Sequence, residues 1–217
     1  MNPYSHLVIA SKLEAQMKPE QPAEYYWGAV APDARYPAKM QRFKTHLPAQ
    51  QILGLIARYP QMTSFLQGYL VHCLADEVDL GEIFFQHLPF SLFKNKMTRQ
   101  HMAISLELYH FENERVDRQV SGTYNEVLSE LGLSETICAN FAKAINLYSA
   151  ATSNETRVLE LFEILGLEND SRIQKYWAAA QTFQKNPFLI SAVFFGMRTG
   201  KISEEIVRTT SGLLNAV

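Results

Sequence analysis

The sequence predicts an all-α protein whose 217 residues fold as a single multi-helical domain. Apolar residues recur at spacings of three and four through most of the chain, which is the period of an amphipathic helix. Many of these stretches begin near Ser, Asn or Asp, the residues preferred at helix N-caps. No stretch alternates apolar and polar residues for long enough to predict a strand. A hydrophobic content of 47% in a chain of this length is sufficient for one large core.

The first predicted helix begins at Asn2-Pro3, an N-cap residue followed by a proline at the first helical position. Pro19 ends the pattern because it cannot continue a helix. Four residues at helical spacing share the inner face of this helix: His6, Ala10, Leu13 and Met17. His6 is therefore expected to point into the protein.

Residues 18–48 hold five of the nine prolines and show no sustained periodicity. We expect an ordered loop that carries function, because structureless segments of this length in compact proteins are usually functional. The loop contains Asp33 and, near it in sequence, the aromatic residues Tyr25, Tyr26, Trp27 and Tyr36.

The rest of the chain is predicted to be helical. Two helices, from Pro48 to Arg58 and from Met62 to Leu80, are separated by Tyr59-Pro60. A long helix from about Thr98 to Gln119 places Glu107, His110 and Glu114 on one stripe. Further helices are expected over 121–131, 134–151, 154–165, 170–185, 187–198 and 203–214.

Histidine is distributed unevenly, since all six histidines lie within the first 110 residues. They are His6, His46, His72, His87, His101 and His110. We therefore expect residues 1–115 to contain the reactive site and residues 116–217 to form supporting helices.

The most informative pair is His72 and Asp76, which lie four residues apart inside an otherwise apolar run. Positions i and i+4 share one face of a helix, so the imidazole and the carboxylate point together into the core. Burying this pair without a partner costs several kcal/mol. The spacing indicates a metal site or a buried acid/base pair; a hydrogen-bonded pair that holds two helices together is the alternative.

Three further residues offer ligands from constrained segments: His6, Asp33 and His46. Mixed imidazole and carboxylate ligands suit zinc, with other divalent transition metals as alternatives. Two or three such ions close together catalyse displacement at phosphorus. Each residue also has a structural interpretation: a core histidine for His6, a turn residue for Asp33 and a helix-entry residue for His46.

The order of these elements resembles the zinc-dependent phospholipase C family, which is related in fold to the S1/P1 nucleases. The shared pattern is a histidine on the first helix, then Gly-Ala-x-Ala-Pro-Asp, a histidine 13 residues later, and Gly-Tyr-Leu-x-His-x-x-x-Asp. The resemblance covers residues 4 to 80 and extends weakly to 114. It implies an all-helical fold of the phospholipase C/P1 nuclease type with up to three zinc ions.

The resemblance also implies individual roles. Asp33, His46, His72 and Asp76 would bind one zinc, and Asp76 would bridge to a second that His6 also binds. His110 and Glu114 would match the His-x-x-x-Glu pair of a third cluster, whose remaining histidine could be His87, His101 or absent. Asp33 would orient or deprotonate the attacking water.

The expected function is that of a metal-dependent hydrolase acting on a small phosphate-ester or phospholipid-like substrate. Tyr26, Trp27 and Tyr36 would line the mouth of the cleft and contact the substrate. The alternative is a non-catalytic helical protein that keeps a vestigial metal site for structure or binding.

Composition limits the partners. The net charge of −2 gives no electrostatic reason to expect nucleic acid as an obligatory partner. No stretch reaches the roughly 18 consecutive apolar residues of a membrane span, and the N-terminus does not read as a secretory signal. Cys73 and Cys138 are isolated, which favours a reducing compartment. We expect a cytoplasmic protein whose oligomeric state the sequence leaves open.

Overall fold

The computed structural model describes residues 2–87, 98–150 and 197–217, together with scattered positions between 161 and 178. Within these residues every regular element is a helix and no strand is present, so the all-α prediction is confirmed. In chain order the described α-helices are α1 (Pro3–Met17), α2 (Pro22–Gly28), α3 (Arg42–Thr45), α4 (Ala49–Arg58), α5 (Thr63–Glu77), α6 (Leu80–His87), α7 (Arg99–Asn113), α8 (Glu126–Glu130), α9 (Glu135–Ala150) and α10 (Lys201–Ala216). Two 3₁₀ helices lie at Ala31–Arg35 and Pro60–Met62.

The prediction of a loop over residues 18–48 was wrong in part. This segment contains α2, the 3₁₀ helix at Ala31–Arg35 and α3. Each is too short to show a helical period in sequence. Pro22 and Pro32 mark the first turns of α2 and of this 3₁₀ helix, because a proline needs no amide partner there.

The long helix predicted from Thr98 to Gln119 ends earlier, at Asn113, and Glu114 already has an extended backbone (φ −127°, ψ 126°). The helix predicted over 121–131 is limited to α8, where the Asn125 side chain caps the amide of Leu128 at 3.0 Å. The helices predicted over 154–165, 170–185 and 187–198 lie wholly or largely outside the described residues.

Helix α5 lies at the centre of the fold and packs against α1, α2, α4 and α10. Its contact with α2 is the closest. A Cβ added at Gly28 would overlap the backbone carbonyl of Phe65, and one added at Gly68 would overlap that of Tyr25. Only glycine on both helices allows the two backbones to approach this far. This approach brings the loop after α2 against the face of α5 that carries His72 and Asp76.

The last helix, α10, also packs on α1 and α6, so the end of the chain contacts the half that contains the predicted site. The division into a reactive half and a supporting half stays a prediction. Of the helices that the structure describes, none is long and apolar enough to cross a membrane.

Candidate metal centre

His72 lies in the middle of α5 and is fully buried. Its Nδ1 is 2.8 Å from the carbonyl oxygen of Ala29, the residue that follows α2. A carbonyl oxygen can only accept, so Nδ1 carries the proton and donates. The lone pair of the neutral ring is therefore on Nε2. Metal-binding histidines are commonly oriented by this kind of bond from the second ring nitrogen.

His46 enters the same place from the C-terminal end of α3. Its Nε2 lies 3.2 Å from His72 Nε2 and 3.1 Å from Asp76 Oδ2. Its other nitrogen, Nδ1, lies 3.2 Å from the hydroxyl of Thr45. Tyr69 donates a hydrogen bond from its hydroxyl to the carbonyl of Thr45 and so fixes the end of α3 against α5.

Asp76 is one turn beyond His72, as the i,i+4 spacing predicted, and its side chain is nearly buried. Its two carboxylate oxygens face different partners. Oδ2 faces His46 and accepts from Nη2 of Arg42 at 2.9 Å, whereas Oδ1 lies 3.5 Å from Nε2 of His6. Because each oxygen faces a different histidine, this carboxylate is placed so that it could bridge two ions, with one oxygen on each.

His6 projects inward from α1, as predicted, and only 1% of its surface is exposed. Its ring stacks on that of His72, yet neither ring nitrogen has a hydrogen-bond partner among the described residues. A buried polar group without a partner is rare, and such a group is suited to bind a water or an ion. His6 therefore has the environment expected of a ligand.

Asp33 lies in the 3₁₀ helix after α2 and is also buried. Potential ligand atoms of His6, Asp33 and His72 lie within 4.8 Å of one another, and so do those of His46, His72 and Asp76. The structure thus brings together five of the seven predicted metal ligands. In the second group, His46 Nε2 lies within 3.2 Å of a ligand atom of each of the other two residues.

His72 belongs to both groups but has only one free nitrogen, since Nδ1 donates to Ala29. One imidazole lone pair binds one ion. Two ions in this cluster would therefore share Asp76, whose two oxygens face separate histidines, and not His72.

The electrostatics favour the neutral forms of His6 and His72. Burial lowers the pKa of His72 well below its usual range, and the nearby His6 and His46 lower it further. Burial also lowers the pKa of His6. Burial alone would raise the pKa of Asp76, but the positive charge of the amino terminus and the adjacent imidazoles of His46 and His6 hold it well below its usual range. Neutral imidazoles beside an ionised carboxylate are the protonation states that metal binding requires.

The structure gives His110 and Glu114 other contacts. Both ring nitrogens of His110 are satisfied by serines, Nδ1 by Ser5 at 3.0 Å and Nε2 by Ser203 at 2.8 Å. Glu114 lies beyond the end of α7 and pairs with Lys12 at 2.7 Å. Neither belongs to a group of three or more potential ligands among the described residues. The i,i+4 argument failed here because the helix stops between the two positions.

A buried polar network that the sequence did not reveal surrounds His110. The carboxylate of Glu107 accepts bonds from the hydroxyls of Ser5 (2.6 Å) and Tyr148 (2.7 Å) and from two backbone amides of α1. Since Ser5 donates its only proton to Glu107, its oxygen accepts from His110 Nδ1, and His110 Nε2 accepts from Ser203. Burial lowers the pKa of His110 to about 3. So weak a base is unsuited to activating Ser203 near neutral pH. The role of the network is therefore structural: its hydrogen bonds connect α1, α7, α9 and α10.

Two of the three predicted substrate-binding aromatics are core residues, which corrects that prediction. Tyr26 is buried and donates to Glu14 at 2.8 Å, and Trp27 is buried with its Nε1 on the carbonyl of Thr123 at 3.0 Å. Their place on the short helix α2 turns them into the protein. Tyr36 is half-buried and accepts a bond from Arg35 at 2.6 Å.

The remaining histidines lie outside the two ligand groups. His101 completes a capping box at the start of α7, where its Nδ1 accepts from the amide of Thr98 at 3.1 Å. His87 ends α6.

Sequence reasoning missed the two arginines that contact the carboxylates of the cluster. Arg42 pairs with Asp76, and Arg35 Nε lies 3.7 Å from Asp33 Oδ1. The charge distribution could have indicated them, because residues 34–75 contain five Lys or Arg and no Asp or Glu. Cations in such a segment must find their carboxylate partners elsewhere in the chain.

Comparisons of the chain with protein-family models, with curated proteins and with solved structures gave no match.

Proposed function

We propose that this protein is a metal-dependent hydrolase of phosphate esters, with zinc as the favoured ion. The observation that carries the proposal is the convergence of His46 Nε2, His72 Nε2 and Asp76 Oδ2, with separations of 3.1 and 3.2 Å from the His46 nitrogen. Tetrahedral zinc with bonds of about 2.0 Å holds its ligand atoms about 3.3 Å apart. The two separations from His46 Nε2 are close to this value, and all three potential ligand atoms lie within 4.8 Å of one another, which supports a single shared ion.

The chemical types of the ligand atoms also suit zinc. Two imidazoles and a carboxylate are ligands that zinc prefers, and the bond from His72 to Ala29 fixes the tautomer that leaves Nε2 free. His6, buried and without a hydrogen-bond partner, supplies a further nitrogen beside the second oxygen of Asp76. Asp33 completes the cluster.

A bound ion of this type would act as a Lewis acid toward a phosphate oxygen and lower the pKa of a bound water. The protein's own residues supply the rest of the chemistry. The Asp33 carboxylate orients the attacking water and accepts its proton. Arg35, with its Nε 3.7 Å from Asp33 Oδ1, places a positive charge beside that carboxylate.

The charge of the segment around the centre supports an anionic substrate. Between Asp33 and Asp76 the chain contains five cations and no carboxylate, although the whole protein has a net charge of −2. This local excess favours a phosphate ester over a neutral ester. The resemblance of the motifs to zinc-dependent phospholipase C points in the same direction.

The test is metal content by plasma mass spectrometry on protein purified without a metal-chelating tag, followed by assays with chromogenic phosphate mono- and diesters. Wild type should contain at least one equivalent of zinc or a similar metal and should hydrolyse one of the esters. His72→Ala should lose both. His87→Ala is the control, since it removes a histidine outside the ligand groups and should change neither.

The two results separate the proposal from its alternative. Metal that is lost in His72→Ala, in a protein that hydrolyses none of the esters, would favour a non-catalytic metal-binding protein. A folded wild type that binds no zinc even when zinc is added would overturn the metal centre itself.

A further inference from the structure

Arg42 connects the buried centre to solvent. Its side chain is 49% exposed, yet its Nη2 donates to Oδ2 of Asp76, a side chain that is only 9% exposed. The guanidinium therefore extends from the buried carboxylate to the solvent-exposed surface.

Among the described residues, the Arg42 side chain donates a hydrogen bond only to Asp76, which leaves most of its donors without a partner in that part of the chain. A guanidinium has five N–H donors in a planar fork, and the bond to Oδ2 uses one of its two terminal amino groups. The same oxygen is 3.1 Å from His46 Nε2, so it is also one of the candidate ligands of the ion. A group bound at the ion would consequently lie within reach of Arg42.

The local fold does not need Arg42 as an anchor. Helix α3 is held by Thr45, which is fully buried and whose carbonyl accepts the bond from Tyr69. The Arg42 side chain is 49% exposed, so water screens its charge and lowers what the ion pair contributes to stability. A half-exposed arginine on a buried carboxylate is better explained by a role in binding.

We propose that Arg42 binds the anionic oxygens of the substrate at the mouth of the metal centre. Arginine forms paired, charge-assisted hydrogen bonds with phosphate oxygens, which a lysine cannot reproduce. The assigned ligand is a phosphate group with at least two oxygens accessible to Arg42 and the ion. This inference rests on the proposed function, since it assumes a metal at the cluster.

The experiment measures the binding of inorganic phosphate to zinc-loaded protein by isothermal titration calorimetry, with the zinc content of each sample measured in parallel. The variants are Arg42→Gln and Arg42→Lys. Arg58→Gln is the matched control, because Arg58 is an exposed arginine that pairs with a surface carboxylate, Glu130, at 3.0 Å.

Arg42→Gln should keep its zinc and bind phosphate at least about tenfold more weakly, the loss expected for a hydrogen bond to a charged group. Arg42→Lys should recover only part of the affinity, and Arg58→Gln should match wild type. Unchanged phosphate affinity in zinc-loaded Arg42→Gln would overturn the inference while leaving the metal centre intact. If Arg42→Gln loses zinc but its zinc-loaded fraction binds phosphate normally, the inference is also overturned. Arg42 would then only position Asp76. Failure of wild type to bind zinc would overturn the inference together with the proposed function.

Discussion

The imidazole rings of His6 and His72 stack face to face, with centroids 3.8 Å apart and planes 18° from parallel. The rings come from α1 and α5, which are far apart in sequence. Two stacked imidazoles in a buried site cannot both be protonated to imidazolium cations, because like charges at this distance repel strongly. The stacking therefore favours neutral rings, each of which keeps one nitrogen lone pair, and ties the first helix to the central one.

Asp76→Asn should abolish metal binding while leaving the fold largely intact. The amide keeps the shape of the side chain but removes the charge that the imidazoles and Arg42 surround. We expect zinc affinity to fall by more than the roughly 10- to 100-fold loss that follows mutation of an outer-shell partner. Competition with a fluorescent zinc chelator measures the affinity. Wild-type affinity in this variant would exclude Asp76 as a ligand.

Tyr69→Phe should destabilise the protein by about 1–3 kcal/mol, because it leaves the carbonyl of Thr45 buried without its donor. Urea unfolding followed by circular dichroism measures the change. Tyr59→Phe is the control: that hydroxyl bonds Glu130 at the surface, and its loss should change stability by less than about 0.5 kcal/mol. Equal effects in the two variants would contradict the role assigned to Tyr69.

Two glycine-to-alanine substitutions should change the stability of the protein in opposite directions. Gly68→Ala places a Cβ in the backbone of α2 and should cost about 1–3 kcal/mol or more, enough to reduce the yield of folded protein. Gly54→Ala meets open space on an exposed face of α4 and should stabilise by up to about 1 kcal/mol. Thermal melting of both variants checks this. A tolerated alanine at position 68 would contradict the close approach of α2 and α5.

Acid should destabilise the protein partly through His110. Burial lowers its pKa to about 3, whereas in the unfolded chain it is about 6.5. Below pH 6.5 the unfolded state gains a proton that the folded state does not, so this contribution to stability is present above pH 6.5 and is lost as the pH falls toward 3. The loss between pH 7 and pH 5 is about 2 kcal/mol.

The measurement is the free energy of unfolding of wild type and His110→Gln at pH 7 and pH 5. The variant should be less stable at pH 7 but should lose about 2 kcal/mol less between the two pH values. Burial raises the pKa of the neighbouring Glu107, an effect of opposite sign that is present in both proteins. Parallel pH profiles would show that His110 does not titrate in this range.

The sequence was most informative where chemistry and periodicity coincide. The i,i+4 spacing on α5 was sufficient to place His72 and Asp76 on one buried face, and the helical spacing of His6 with Ala10 and Leu13 placed His6 on the inner face of α1. The positions of Asp33 and His46 came from the resemblance in motif order, since neither lies in a segment with a period.

The failures have equally local causes. His110 and Glu114 have the correct spacing, but the helix ends between them, and no residue near Asn113 marks this end clearly. Trp27 and Tyr26 looked accessible because they were assigned to a loop. The contact between Arg42 and Asp76 spans 34 residues, and no local pattern encodes a contact at that separation.

The proton on His72 is positioned by the carbonyl of Ala29, and a carbonyl is present whichever amino acid occupies position 29. The tautomer that exposes Nε2 is therefore a property of the backbone path and not of a side chain. Side chains at position 29 can be exchanged without altering it, as long as they fit. A change in the backbone after α2 that moved this carbonyl away from His72 would remove the acceptor that holds the proton on Nδ1. The tautomer would then no longer be fixed, although none of the proposed ligands had been mutated.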